Sequence, residues 1–146
     1  MKPIVNKHSP LNILLADDDA IDRELFIEGI SHTGITYTIN EVENGEQVLS
    51  YLSGASENPD LIILDFNMPV KDGRSTLKEL KNQDQFKRIP VVIMSTSNSK
   101  FDIALAYDNG ANLFVVKPDD FKELVHLLSC LFAVFSPSLH LLRHHN

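Results

Sequence analysis

The 146-residue chain has a single cysteine, Cys130, so no internal disulfide can form. The apolar neighbours of that thiol predict that it is packed. Positive charge is also scarce: 13 Lys and Arg stand against 20 Asp and Glu, a formal net charge of −7. That deficit argues against nucleic acid as a direct partner. No apolar run is long enough to span a bilayer, and "MKPIVNKHSP" lacks the apolar core of a signal peptide. Neither GxxxxGK[ST] nor GxGxxG occurs, which disfavours a nucleotide-binding module. Internal repeats and low-complexity tracts are missing as well. Together these absences predict a cytoplasmic protein with no membrane contact and no disulfide framework. The length suits one domain, and a hydrophobic content of 43% is enough for a core. The expected division is an N-terminal extension over 1–10, one domain over 11–135 and a short tail over 136–146.

What is present is a regular alternation. Short apolar runs at Leu11–Ala16, Pro59–Phe66, Ile89–Ser95 and Asn112–Pro118, and the β-branched, alternating Ile35–Val42, read as strands. Between them lie helical patterns: "DDDAIDRELFIEGISHTG", "NGEQVLSYLSG", "RSTLKELKNQ", a polar loop and helix ended by Gly110, and the closing "DDFKELVHLLSCLFAVF". Strand and helix alternate five times, with continuous apolar runs in the strands other than the second. That pattern is the signature of an α/β fold, a doubly wound five-stranded parallel sheet covered by helices on both faces. Right-handed crossovers place all the strand C-termini on one edge, where such sheets bind ligands.

The strand ends are unusually polar. The first ends in Asp17, Asp18 and Asp19, the third in Asp65 followed by Phe66, Asn67, Met68 and Pro69, the fourth in Ser95 and Thr96, and the fifth in Lys117 and Pro118. Taken singly, each has a bland explanation. An Asp after a strand is most often a helix cap or turn former, a Ser or Thr is turn chemistry, and a Lys points to solvent. Asp65 resists that explanation because it directly follows "LIIL", where a charge is poorly solvated. The constellation resists it further, since the predicted topology makes all these groups converge. Carboxylates from strands one and three raise each other's pKa unless a cation intervenes. Hard oxygen ligands without a His or Cys set nearby suit Mg2+ rather than zinc. A metal, an ammonium and a hydroxyl would together neutralise an incoming phosphoryl group, with Asp65 as its nucleophile.

"DD" after the first strand, "LDFNMPVKDG" around the third, "MST" after the fourth and "VKP" after the fifth resemble the response-regulator receiver domain of two-component phosphorelays. The match runs from about Leu11 to about Leu131. The resemblance implies a flavodoxin-like (βα)5 fold with strand order 2-1-3-4-5, the order known for such receivers. It implies Asp65 as phosphoacceptor, with a histidine kinase or phosphotransfer protein as donor. It makes Asp18 a direct Mg2+ ligand, Asp17 the acid holding a metal-bound water, and the backbone carbonyl of Asn67 a further ligand beside Asp65. Ser95 takes the position that bonds a phosphoryl oxygen, and Lys117 pairs with the phosphoryl group. Ser95 and Phe114 together form the family's switch, and Lys117–Pro118 is a candidate cis peptide. Asp19 is assigned to the helix N-cap.

A stand-alone receiver is expected, with no enzymatic activity beyond self-catalysed phosphotransfer and autodephosphorylation. It would signal to a downstream protein partner through the face formed by helix four, strand five and helix five. The apolar excess of the closing helix (Val125, Leu127, Leu128, Leu131, Phe132, Val134 and Phe135) predicts a second buried face there, in a homodimer or against a partner. The opening "LADDDAIDRELFIEGI" resembles small receivers associated with phytochrome-type and hybrid kinases. A rival is a small haloacid-dehalogenase-like phosphatase, whose Asp-x-Asp spacing Asp17 and Asp19 would fit. It leaves Asp65 and its proline-containing turn unexplained. A third reading is an inert scaffold of the same fold, disfavoured because every expected group is present.

Overall fold

A computed structural model describes residues 10–135. The predicted N-terminal extension, apart from Pro10, and the tail with His144 and His145 lie outside the described residues. The elements run β1 (Leu11–Ala16), α1 (Ala20–Ser31), β2 (Tyr37–Val42), α2 (Gly45–Gly54), β3 (Leu61–Leu64), α3 (Gly73–Lys81), β4 (Val91–Ser95), α4 (Lys100–Asp108), β5 (Leu113–Val116) and α5 (Phe121–Phe135). The strands form one parallel sheet in the order β2-β1-β3-β4-β5, as expected.

The sheet buries both faces, which explains why its central strands are apolar without alternation. Leu11, Ile13 and Leu15 of β1, Leu61 and Ile63 of β3, and Val92 and Met94 of β4 pack with Phe26 and Ile30 of α1 and Leu128, Leu131 and Phe132 of α5. The intervening residues Leu14, Ala16, Ile62, Leu64, Val91 and Ile93 face the other way, against Val48 and Leu52 of α2, Leu77 and Leu80 of α3 and Ala106 of α4. β2 lies at an edge, and its residues are half-buried or exposed with none fully buried.

Four strands are shorter than the sequence runs suggested, β5 among them at Leu113–Val116. β3 stops at Leu64 because its register partner in β1 is Ala16, the last residue before that chain turns away. β4 starts after Pro90, which has no N–H to give a ladder. β2 begins at Tyr37, opposite Leu11. Asp19, Asn44, Asp72 and Ser99 cap the first four helices with their side chains.

Two expectations fail here. Cys130 is exposed, not packed. The core face of α5 passes through Leu124, Leu128, Leu131 and Phe132, and position 130 falls on the opposite side of the helix. The Lys117–Pro118 peptide is trans, as no cis bond occurs among the described residues. Even before proline the trans form keeps an advantage of about 0.5–1 kcal/mol, and the Lys117 N–H and side chain reach all their partners with it. The surplus of α5 is largely absorbed by the core: Leu128, Leu131 and Phe132 are buried, Leu127 and Phe135 pack against the same cluster, and Val134 is exposed.

Candidate functional site

The C-terminal strand edge gathers the predicted residues. Asp17 follows β1 and is buried, with 6% of its surface exposed. Asp65 follows β3, and its N–H donates to Ala16 O at 3.0 Å, which fixes the two acids side by side. Lys117 follows β5, and its N–H donates to Ser95 O at 2.7 Å, so the amine and the Ser95 end of β4 are held together. Ser95 is fully buried, and its Oγ accepts from the Ser97 N–H at 3.1 Å.

The three consecutive aspartates have three different tasks. Asp17 turns inward; its Oδ1 accepts from the Asp19 N–H at 2.9 Å and its Oδ2 from Lys117 Nζ at 3.0 Å. Asp18 is exposed and offers a carboxylate oxygen to the same cluster as Asp17 and Asp65, all within 4.8 Å of one another. Asp19 caps α1, accepting from the Ile21 and Asp22 N–H groups at 2.9 and 3.3 Å. The cap role predicted for Asp19 therefore holds, and it commits the carboxylate that the phosphatase reading required as an acid. Asp17, Asp18 and Asp65 form a hard oxygen set with no thiolate or imidazole, the donor chemistry of Mg2+ rather than of zinc.

Lys117 Nζ sits among three carboxylates, at 3.0 Å from Asp17, 3.1 Å from Asp22 and 3.4 Å from Asp65. Burial pulls its pKa down, but Asp65, Asp17 and Asp22 outweigh that and hold the ammonium above its ordinary value. Asp65 is pushed up to about 6, first by burial and then by Asp17, against the opposing pull of Lys117 and a hydrogen bond from the Asn67 N–H. Its carboxylate is thus ionised at neutral pH and more basic than an exposed aspartate. Asn67 joins the site through that N–H, 3.3 Å from Asp65 Oδ1. A crevice of about 80 Å³ opens beside these groups, walled by Leu25, Phe26, Met94 and Leu124.

The turn after Asp65 is shaped by two close approaches. Val70 has φ 68°, and the Lys71 N–H donates to Pro69 O at 2.7 Å, a γ-turn that a β-branched residue rarely adopts. Gly73 then passes so close to Asp65 O and the Cα of Phe66 that a Cβ would collide with the backbone carrying the nucleophile. Phe114 is half-buried and meets Phe66 edge to face, with ring centroids 6.0 Å apart.

Sequence reading missed three groups. Asp22 was not assigned to Lys117, although it lies one helical turn beyond Asp18 on the same helix entrance. Arg74 stacks over the Phe66 ring at 4.8 Å and pairs with Asp102 at 3.2 Å. Asp102 also accepts from Ser97 Oγ at 2.8 Å, linking α3 and α4 to the loop after Ser95. No local spacing announces these pairs, because they join elements far apart in the chain.

The family model for the response regulator receiver domain matches residues 13–129. The chain belongs to the response regulator receiver family. Response regulator Rcp1 of Synechocystis is 34% identical over 124 residues, covering 82% of this chain and 84% of Rcp1. The crystal structure of the Mn2+-bound form of Rcp1 superposes with a TM-score of 0.79 at 30% identity, covering 89% of this chain and 97% of that one. The phosphorylated cyanobacterial phytochrome response regulator RcpA gives a TM-score of 0.81 at 31% identity, covering 89% of this chain and all of that one (100%). This chain is therefore a receiver domain of two-component signalling with the flavodoxin-like fold, and the phosphatase alternative has no support. No helix among the described residues is long and apolar enough to cross a membrane.

Proposed function

We propose that this receiver accepts a phosphoryl group on Asp65 from a histidine kinase or phosphotransfer protein, in a Mg2+-dependent reaction. The observation that carries the reading is a basic, half-buried Asp65 set between the acid pair Asp17 and Asp18 and the ammonium of Lys117. The Mn2+ of Rcp1 and the phosphorylated state of RcpA support it from the side of the relatives. Asp17, Asp18, Asp65 and Asn67 would hold the cation, which supplies positive charge opposite the transferred oxygens. Ser95 Oγ would donate to a phosphoryl oxygen and Lys117 would pair with another. On this reading the chemistry is confined to the protein's own carboxylate, and the protein would work in the cytoplasm with the kinases that supply the group.

The signal would leave through α4, β5 and α5. Phe101, Tyr107, Val116 and Val134 expose apolar surface there, and Phe114 lies beneath it against Phe66. Ser95 and Phe114 would move inward together, changing that face for a downstream protein or for a second copy of the chain. Light scattering with and without beryllofluoride tests the homodimer: a mass doubled only in its presence supports the dimer, and a monomer throughout removes it. The phosphoacceptor role is tested by labelling from radiolabelled acetyl phosphate. The parent takes up label only with Mg2+, and Asp65→Asn takes up none. Equal labelling of both proteins would overturn the reading.

A further inference from the structure

Lys117 has three N–H donors and three carboxylate partners, and only two of those partners have a part in the reaction proposed above. When acetyl phosphate is the donor, an Asp65 oxygen forms the new O–P bond as the donor's P–O bond breaks, and acetate leaves with the electron pair. Asp65 thereby loses its carboxylate charge and its grip on Lys117. Asp17 belongs to the set proposed to hold the cation, so its hold on the amine weakens as well. Asp22 takes no part in either bond change and is not in the proposed cation set. Among the described residues its ion pair is with Lys117, and it stands in the first turn of α1, anchored by its own N–H to the Asp19 cap.

We propose that Asp22 is the positioning residue for Lys117: it holds the amine from α1 while Asp17 and Asp65 are engaged in the reaction, aiming the remaining N–H groups at the phosphoryl oxygens. The role rests on the phosphoacceptor reading. Asp22 lines the same crevice as Asp17, Asp65 and Lys117 and is less enclosed than the other two acids, with 40% of its side chain exposed against 8% and 12%. A partner that open gives a modest hold, so the expected loss is several-fold rather than complete.

An acid in the first turn of a helix also favours the helix dipole, and that purely structural role must be separated from the proposed one. A double-mutant cycle does so. Labelling rates from acetyl phosphate with Mg2+ are compared for the parent, Asp22→Asn, Lys117→Met and the double variant. Asp22→Asn should slow labelling about fivefold in the parent and less than twofold in the Lys117→Met background. Asp22→Glu should restore the rate to within about twofold of the parent. In the metal-free protein, the side-chain ammonium of Lys117 should exchange its protons several times faster in Asp22→Asn than in the parent, by NMR. If Asp22→Asn fails to fold, Asp22→Ser takes its place in both the labelling cycle and the exchange measurement. An equal loss in both backgrounds, or unchanged proton exchange, overturns the role of Asp22. If Asp65→Asn stays inert in that case, the phosphoacceptor reading still stands, whereas labelling of Asp65→Asn at the parent rate would sink that reading instead.

Discussion

Two lysines are half-buried at opposite edges of the same sheet, and they are held in opposite ways. At the N-terminal edge, Lys81 donates to Lys87 O, Ile89 O and Asn112 Oδ1 at 3.2, 2.9 and 3.2 Å. Its partners are neutral, and burial holds its pKa below the ordinary value. At the C-terminal edge, Lys117 has three partners too, but all are carboxylates, and its pKa is held up. The first amine is a clip that ties α3 to the starts of β4 and β5. The second sits in a site with more negative charge than it can neutralise. That surplus is what a dication and a phosphoryl transfer can use, and a clip of neutral carbonyls offers nothing comparable.

The sharpest way to break this comparison is at the nucleophile. Asp65→Asn should lower Mg2+-dependent labelling at least about 100-fold, measured as initial rate from acetyl phosphate. Next come the two amines themselves. Lys117→Met should slow labelling about 10- to 100-fold, while Lys81→Met should leave it within about twofold. In chelator, Lys117→Met leaves buried acids unbalanced, so added Mg2+ should raise its urea midpoint more than it raises the parent's. Lys81→Met should instead lose about 1–2 kcal/mol of stability through unmet carbonyls, with no such response to Mg2+.

The smaller effect is a pH dependence. In the metal-free protein Asp65 titrates at about 6, against an ordinary value of 3.8. The folded state therefore keeps a proton that the unfolded chain has released, and stability falls as pH rises between those values. Asp65→Asn removes that penalty. Urea unfolding in chelator should show the variant more stable than the parent at pH 7.5 by about 1–2 kcal/mol, with the gap shrinking towards pH 4. A gap that grows on acidification would mean the carboxylate is stabilised, not penalised, by its surroundings.

The legible parts of the sequence were those written in local pattern. Apolar runs such as "LIIL" announced buried parallel strands, and their order of appearance with helices between them predicted the sheet. Asp17, Asp18, Asp65 and Lys117 were singled out because each stands at or just past a strand end, and the fold delivers strand ends to one edge. Asp19 was found because it precedes a helix. What stayed hidden depends on side chains meeting across elements. Asp22 looks like any acid in a first helical turn until Lys117 is seen beside it, 3.1 Å away. Arg74 and Asp102 lie on different helices, and only the packed sheet brings them together. Cys130 was misjudged because neighbours in sequence on a helix do not share a face.

Trapping the acyl phosphate most directly tests whether acids distant in the chain form one phosphoryl-accepting site. The protein is loaded from acetyl phosphate with Mg2+, reduced with borohydride and mapped by peptide mass spectrometry. The account predicts reduction to homoserine at position 65 alone, and only when Mg2+ was present. Modification at Asp17 or Asp19, or at position 65 without any divalent cation, would contradict it.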